Sequence, residues 1–438
     1  MGLKTFIGGV HPFEGKELAK DAPIKEILPK GELVYPLSQH IGAPATPVVA
    51  VGDTVLKGQK IAEAGGFVSA PIHASVSGTV KAIEPRRVAV GDMVNSIIIE
   101  NDGLYNEVEY EVVEDVATLA KDVIINKIKE AGIVGMGGAG FPTHVKLTPK
   151  DDDAIEYVIV NGAECEPYLT SDYRRMIEEP QVLIDGLKIV LSLFKNAKGI
   201  IAIEDNKLDA ITELKKLTKN EDNIQIKGVY TKYPQGGERA LIYAVTGREV
   251  NSSMLPADVG CVVNNVDTMF AIHNAVINHK SLYTRVVTVT GDAVTTPGNY
   301  LVPIGTSFNE VIEAAEGFKR TPEKIIAGGP MMGVSVFTTD IPITKGSSAI
   351  LAFRKDQVAA SKPSPCINCG KCLEVCPGRV MPSRLATMAE HGDVDGFIDN
   401  YGMECCECGC CSYICPAKRN LTQSIKSMRK DILASRKK

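Results

Sequence analysis

Apolar and polar positions along the chain change their period several times, and each change marks a different kind of element. From Glu32 to Glu100 the apolar residues come in short Val- and Ile-rich runs broken by glycine, which predicts short β-strands joined by turns. Val49-Ala-Val-Gly-Asp53 recurs as Val88-Ala-Val-Gly-Asp92 on the far side of the Val68–Val80 stretch. Two such halves, each with a Gly-Asp turn, predict a small barrel or sandwich built from a duplicated hairpin unit. Leu119–Ala131 carries Val123, Ile124 and Ile128 at helical spacing. Ala154–Val160 then reads as a buried strand, Pro180–Phe194 as a helix, Gly199–Glu204 as a strand, Lys207–Leu217 as a helix and Ile224–Tyr230 as a strand. That alternation predicts a parallel sheet with helices on its faces. Val286–Gly291 is again a strand pattern, a helix follows around Ser307–Glu316, and Gly328-Gly-Pro-Met-Met-Gly333 closes the segment. Lys355–Pro365 reads as a polar linker, and Leu421–Lys438 as a helix rich in Lys426, Arg429, Lys430, Arg436, Lys437 and Lys438. Such a basic end either meets anionic lipid or an acidic partner, or is a solvated terminus.

Composition narrows the class. A chain of 438 residues, 44% hydrophobic and 23% charged, is expected to be a soluble globular protein of three or four domains. A net charge of −5 and the lack of tryptophan argue against nucleic-acid binding. Apolar runs such as Gly186–Phe194 fall short of the ~20 residues that span a bilayer, and Met1–Val10 lacks the apolar core of a signal peptide. The expectation is a soluble chain in a reducing compartment that reaches a membrane only through a partner.

The cysteines change the picture most. Ten of the twelve fall between Pro365 and Pro416, in two copies of C-x2-C-x2-C-x3-C-P offset by 39 positions. One copy is Cys366, Cys369, Cys372 and Cys376; the other is Cys405, Cys408, Cys411 and Cys415. Three closely spaced thiolates suit an iron–sulfur cubane, with the fourth cysteine, ahead of the proline, ligating the other cluster. Cys366, Cys369, Cys372 and Cys415 are therefore expected on one [4Fe–4S] centre, and Cys405, Cys408, Cys411 and Cys376 on the second. The alternative is a pair of structural zinc sites. Cys406 and Cys410 are left over, without an assigned role.

Gly135, Gly137 and Gly140 satisfy G-x-G-x-x-G, but here the motif follows a helix and runs into Phe141-Pro142, unlike a dinucleotide fingerprint. Its glycines let backbone N–H groups approach a phosphate, and Lys146 adds charge; a plain turn is the alternative. Asn161-Gly-Ala-Glu-Cys-Glu-Pro167 crowds polar groups at a strand end, where α/β folds place ligands. His73, Met331 and Met332 read as structural.

Taken in order, Gly137-Gly-Ala-Gly-Phe-Pro-Thr143, Asn161–Pro167, Gly236-Gly-Glu238 and Asn264-Asn-Val-Asp-Thr268 resemble the flavin-carrying, NADH-oxidising subunit of respiratory complex I. The chain is still more similar to the RnfC component of Rnf complexes, membrane-bound ferredoxin:NAD oxidoreductases. The resemblance implies a multidomain α/β plus β fold. Residues 1–110 would form a barrel-sandwich hybrid like a lipoyl carrier, but with no lysine between Lys60 and Lys81 to carry a cofactor. Residues 111–283 would form a Rossmann-like FMN/NADH domain, 284–354 a ligand-binding β-grasp module, 355–425 a two-cluster ferredoxin-like helical domain, and 426–438 a basic tail. It places FMN on Gly135, Gly137, Gly138, Gly140, Lys146, Asn161, Glu164, Asn264 and Asn265, and the nicotinamide nucleotide near Phe141 and two catalytic-site acids, Glu166 and Glu238. Met136 and Ala163 stand where the complex I protein has an arginine and an aspartate, and Gly237 replaces another acid. The implied reaction is electron passage between NAD(H), FMN and two [4Fe–4S] clusters, with membrane-embedded subunits and a ferredoxin-like RnfB component as partners, at the cytoplasmic face of a membrane. A cobalamin reductase, a flavin subunit of a soluble bifurcating enzyme and a non-enzymatic electron relay are the rivals.

Overall fold

The computed structural model describes residues 3–110 and 119–435. The expected boundary after residue 110 and the basic residues Arg436, Lys437 and Lys438 lie outside that range.

Two small antiparallel sheets form the barrel-sandwich. One orders the strands Glu32–Pro36, Met93–Asn101, Gly78–Arg87 and Thr54–Val55, and the other Thr46–Pro47, Lys60–Glu63 and Ile72–His73. The repeated Val-Ala-Val-Gly-Asp segments are both turns: Gly52 and Gly91 sit at φ 96° and 92°, a left-handed conformation that carries no steric penalty for glycine. Leu33, Tyr35, Val55, Ile61, Ile72, Val80, Ile97 and Ile99 close the interior. Each such aliphatic side chain withdrawn from water contributes roughly 1.5–3 kcal/mol.

The central unit is a four-stranded parallel sheet in the order Ile224–Val229, Lys198–Glu204, Tyr157–Gly162, Cys261–Asn265. Helices cover its faces, so Lys198–Glu204 is buried at every position after the first. The strand expected over 154–160 instead runs from Tyr157 to Gly162, which takes Asn161 into the sheet. The chain builds outward from Tyr157–Gly162 in one direction, then returns to place Cys261–Asn265 on its other side. That reversal is a topological switch point, where the ends of adjacent parallel strands part and leave a crevice.

A third sheet, of six strands and mixed direction, orders Ile24–Glu26, Gly298–Pro303, Thr284–Thr290, Ala349–Phe353, Lys324–Ala327 and Val334–Val336. Its first strand comes from the N-terminal segment, which the expected boundaries put in the barrel. The segment is a strap that ties the barrel to the other units. Lys4 bridges to Val229, Val10 pairs with Tyr233, and Ile24–Glu26 runs parallel to Gly298–Pro303. Its backbone finds partners on those units.

Among the described residues, five α-helices make the C-terminal unit, Lys371–Glu374, Pro382–Glu390, Val394–Asp399, Cys410–Ile414 and Leu421–Ser435, with a short 3-10 turn at Gly402–Glu404. Leu385, Phe397, Leu421, Ile425 and Ile432 form its core. No helix among the described residues is long and apolar enough to cross a membrane.

Candidate functional site

The switch point gathers the polar residues. In the parallel register Asn265 lies beside Asn161, and Asn264 beside Val160. Asn265 also caps the helix Val266–Ile277: its Oδ1 accepts from the Asp267 N–H at 2.8 Å, and its Nδ2 donates to Asp172 Oδ2 at 2.6 Å. The glycine loop folds over this helix start, where unpaired N–H groups favour an anion. The Met136 N–H donates to Thr268 Oγ1 at 3.2 Å, and the Gly135 N–H to the Phe141 carbonyl at 2.8 Å. A Cβ at Gly137 would lie 2.9 Å from Asn265, whereas one at Gly138 would meet nothing. Gly140, at φ 71°, backs against Gln39 and His40 of the barrel. The loop is thus gripped on two sides and open at Gly138.

Lys146 is half-buried and donates to the Val263 carbonyl at 2.7 Å; loss of water around it lowers its pKa, against the pull of Glu238. Glu238 is exposed at the start of the helix Glu238–Thr246. Asn161 donates to the Gly236 carbonyl at 2.8 Å, tying the central strand to the loop before that helix. Asn264 differs from all of these. Its side chain is 1% exposed, and neither its oxygen nor its nitrogen has a hydrogen-bond partner. A buried amide with both ends free is a handle for a polar ligand.

Glu164 and Glu166 both have protein partners. Glu164 is buried in a left-handed conformation and accepts from the Asp172 N–H at 2.7 Å; burial raises its pKa. Glu166 was expected to face the nucleotide. Both of its carboxylate oxygens instead accept backbone N–H groups, from Met331 at 3.0 Å and Met332 at 2.9 Å, and burial pushes its pKa up to about 7. The Gly328–Gly333 turn occupies this acid because glycines at 329 and 333 let its backbone close over the side chain. Ala163 packs in an apolar core with Ile159, Ile200 and Val229.

Asp172, Asp267, Thr268 and Arg285 were not singled out from sequence. Burial, with Glu164 and Asp267 nearby, raises Asp172 to about 7. Asp267 pairs with Arg175 at 3.1 Å and with Arg285. Asp267 and Thr268 lie within the Asn264–Thr268 motif; Asp172 and Arg285 carry no local signal.

In the C-terminal unit the cysteine repeat is also a backbone repeat. Asn368 and Glu407 have φ 55° and 56°, Gly370 and Gly409 76° and 83°, and Arg379 and Lys418 54° and 53°. Asn368 and Glu407 each donate a backbone N–H to a cysteine sulfur, Cys366 and Cys405, at 3.4 Å. Cys366, Cys369, Cys372 and Cys415 line one cavity. Cys376, Cys405, Cys408 and Cys411 line a smaller one, together with Cys406 and Cys410. Of the eight cysteines of the repeat, each cavity takes three from one copy and one from the other.

The two regions touch. Tyr233, Val10, Cys408 and Cys410 share a buried core with Cys165, Met331, Val375 and Ile414. Arg239 pairs with Glu404 at 3.1 Å across the same junction.

Comparison with known proteins agrees with this architecture. Residues 4–104 match the RnfC barrel sandwich hybrid domain, 128–274 the Nuo51 FMN-binding domain and 286–335 the SLBB domain. The C component of the Na(+)-translocating ferredoxin:NAD(+) oxidoreductase complex of Acetobacterium woodii is 46% identical over 99% of this chain and 98% of its own length. The chain belongs to the RnfC family. Among other RnfC relatives, the corresponding protein of the proton-translocating ferredoxin:NAD(+) oxidoreductase complex of Clostridium ljungdahlii is 47% identical over 89% of this chain and 85% of that protein. Its counterpart in the Pseudomonas aeruginosa ion-translocating oxidoreductase complex is 39% identical over 87% of this chain, which spans 50% of that longer RnfC protein. In fold, a chain of an NAD+-reducing [NiFe]-hydrogenase superposes with a TM-score of 0.51 at 20% identity, covering 73% of this chain and 62% of that one.

Proposed function

We propose that this chain is the nicotinamide-facing subunit of an ion-translocating ferredoxin:NAD oxidoreductase complex, passing electrons between NAD(H), FMN and two [4Fe–4S] clusters. The observation that carries the reading is the shared core at Tyr233: the loop that holds Asn161 of the crevice packs directly against the cysteines of the second cavity.

The residues fit the cofactors. The unpaired Asn264 amide suits a polar ring or chain, and the open backbone at Gly138 with the helix start at Asn265 suits a phosphate. FMN, when bound, supplies the exchange between two-electron nicotinamide chemistry and one-electron cluster chemistry. Asn161, Asn265 and Glu164 would line its site, and Lys146 would balance its charge. Glu238, exposed near Lys146, and Phe141 are the nucleotide-side contacts. Glu166 serves here as a clamp on the Met331–Met332 turn. The two cavities, each lined by four cysteines of the repeat and the second also by Cys406 and Cys410, suit inorganic clusters better than single zinc ions, because the donors surround a space. The mixed sheet over 284–353 fits the β-grasp reading, and the five-helix unit fits the ferredoxin-like one. A ferredoxin-like RnfB component and membrane-embedded subunits are the proposed partners, at the cytoplasmic face of a membrane.

The engagement of Glu166 by backbone favours one second reading: an electron relay without a nucleotide site. Anaerobic reconstitution with iron, sulfide and FMN, followed by NADH, separates the two. The oxidoreductase reading expects flavin bleaching and reduced-cluster EPR signals, both weakened by Glu238→Ala. Clusters reduced by dithionite but not by NADH would leave the relay.

A further inference from the structure

Lys16 stands on the N-terminal strap, 148 positions from the loop it contacts, and 8% of it is exposed. Its Nζ donates to the carbonyl of Glu164 at 2.9 Å, of Glu166 at 3.0 Å and of Leu169 at 2.5 Å. An ammonium has three donors, and here all three go to one loop. The strap grips that loop twice more. The Tyr168 N–H donates to the Glu14 carbonyl at 2.7 Å, and Gly15 packs so closely on the Tyr168 ring that a Cβ there would clash with it.

The loop needs such a hold. Glu164 and Tyr168 are non-glycine residues at φ 49° and 70°, conformations that persist only where the surroundings over-determine them. Three carbonyls turned toward one point repel each other unless a cation sits between them. On the loop's other flank Lys207 takes the Ala163 carbonyl at 2.8 Å, paired with Glu204. The same strap donates the Gly9 N–H to the Val375 carbonyl at 2.9 Å, next to Cys376 of the second cavity.

Resting on the flavin reading above, we propose that Lys16 is a positioning residue of the flavin and nucleotide site, holding the Glu164–Leu169 loop in its working shape. It touches no substrate. Its effect passes through Glu164, which accepts from Asp172, itself bonded to the Asn265 amide, and through Glu166, which holds the Met331–Met332 turn.

The test uses the full chain with both clusters reconstituted. Lys16→Met keeps the length and removes the charge; Lys16→Arg keeps the charge, but its planar fork cannot direct three donors from one atom. Leu214→Ala is the control, since it hollows the core beneath a helix that supplies no site residue. The readouts are iron content, FMN dissociation constant, and NADH KM and kcat with a soluble one-electron acceptor. Lys16→Met is expected to raise the FMN dissociation constant and the NADH KM at least tenfold at unchanged iron content. Lys16→Arg should move both in the same direction by a smaller factor, and Leu214→Ala should leave both within twofold. Wild-type values in Lys16→Arg overturn the proposal, as does a matching loss in Leu214→Ala. If Lys16→Met does not fold, Lys16→Arg alone decides. If the wild type binds no FMN, the flavin reading fails, and amide exchange over residues 163–169 then decides: a rise of tenfold or more in Lys16→Arg supports the positioning role, and no rise removes it.

Discussion

Asn264 shows how a single residue separates stability from function. Burying an amide without partners costs about 1–3 kcal/mol, and Asn264 bears that cost at both ends of its side chain. A residue kept for packing would not. Asn264→Leu is therefore expected to raise the melting temperature of the cofactor-free chain while weakening FMN binding at least tenfold. Calorimetry and flavin fluorescence titration on the same preparation check both signs, and a loss of stability would mean the amide has a structural partner. The motif drew attention to Asn264, but its free amide was not legible, because the absence of a partner depends on every neighbour at once. Glu166 shows the opposite. Its place in the motif predicted a ligand contact, and only the fold brought the Met331–Met332 turn onto its carboxylate.

At the level of elements, the alternation of strands and helices was readable because buried parallel strands are uniformly apolar and their helices are amphipathic. The junctions between elements were not. Lys345 is fully buried where three units meet: its Nζ donates to the carbonyls of Pro71 in the barrel, at 2.5 Å, and Gly132 before the glycine loop, at 2.6 Å. Its backbone N–H meets the Gln39 side chain of the barrel at 3.0 Å. Burial lowers its pKa to about 7. The unfolded chain, with the ordinary lysine value near 10.5, then binds more protons than the folded one between pH 7 and about 10. Stability contributed at this site should rise with pH across that window and be flat below it. The neutral amine still has two N–H groups, enough for both carbonyls. The gap in melting temperature between wild type and Lys345→Met, followed from pH 6 to 9.5, is expected to shift in favour of the wild type above pH 7. A gap that stays constant would show that Lys345 keeps its proton.

For the whole molecule, the exchange of the fourth cysteine between repeats makes a pairing prediction. Cys415→Ser should damage the same cluster EPR signal as Cys366→Ser, and Cys376→Ser the same signal as Cys405→Ser, although each pair is far apart in sequence. If damage followed sequence proximity, Cys376→Ser would resemble Cys366→Ser instead. The cavity next to Tyr233 is the one lined by Cys408, so its signal should be the one more sensitive to changes in the Tyr233 loop.

Sequence alone determined what is local or periodic: the cysteine repeat, the duplicated Gly-Asp turns, the parallel strands and the glycine loop. These depend on spacing and on backbone preferences that a residue carries with it. Tertiary structure decided the rest. It laid the strap across the other units, set Asn161 beside Asn265, turned Glu166 into a clamp and drove Lys16 and Lys345 into carbonyl cages. Each of these rests on contacts between residues far apart in the chain. Their energies come from burial and hydrogen bonding that exist only once the units have packed.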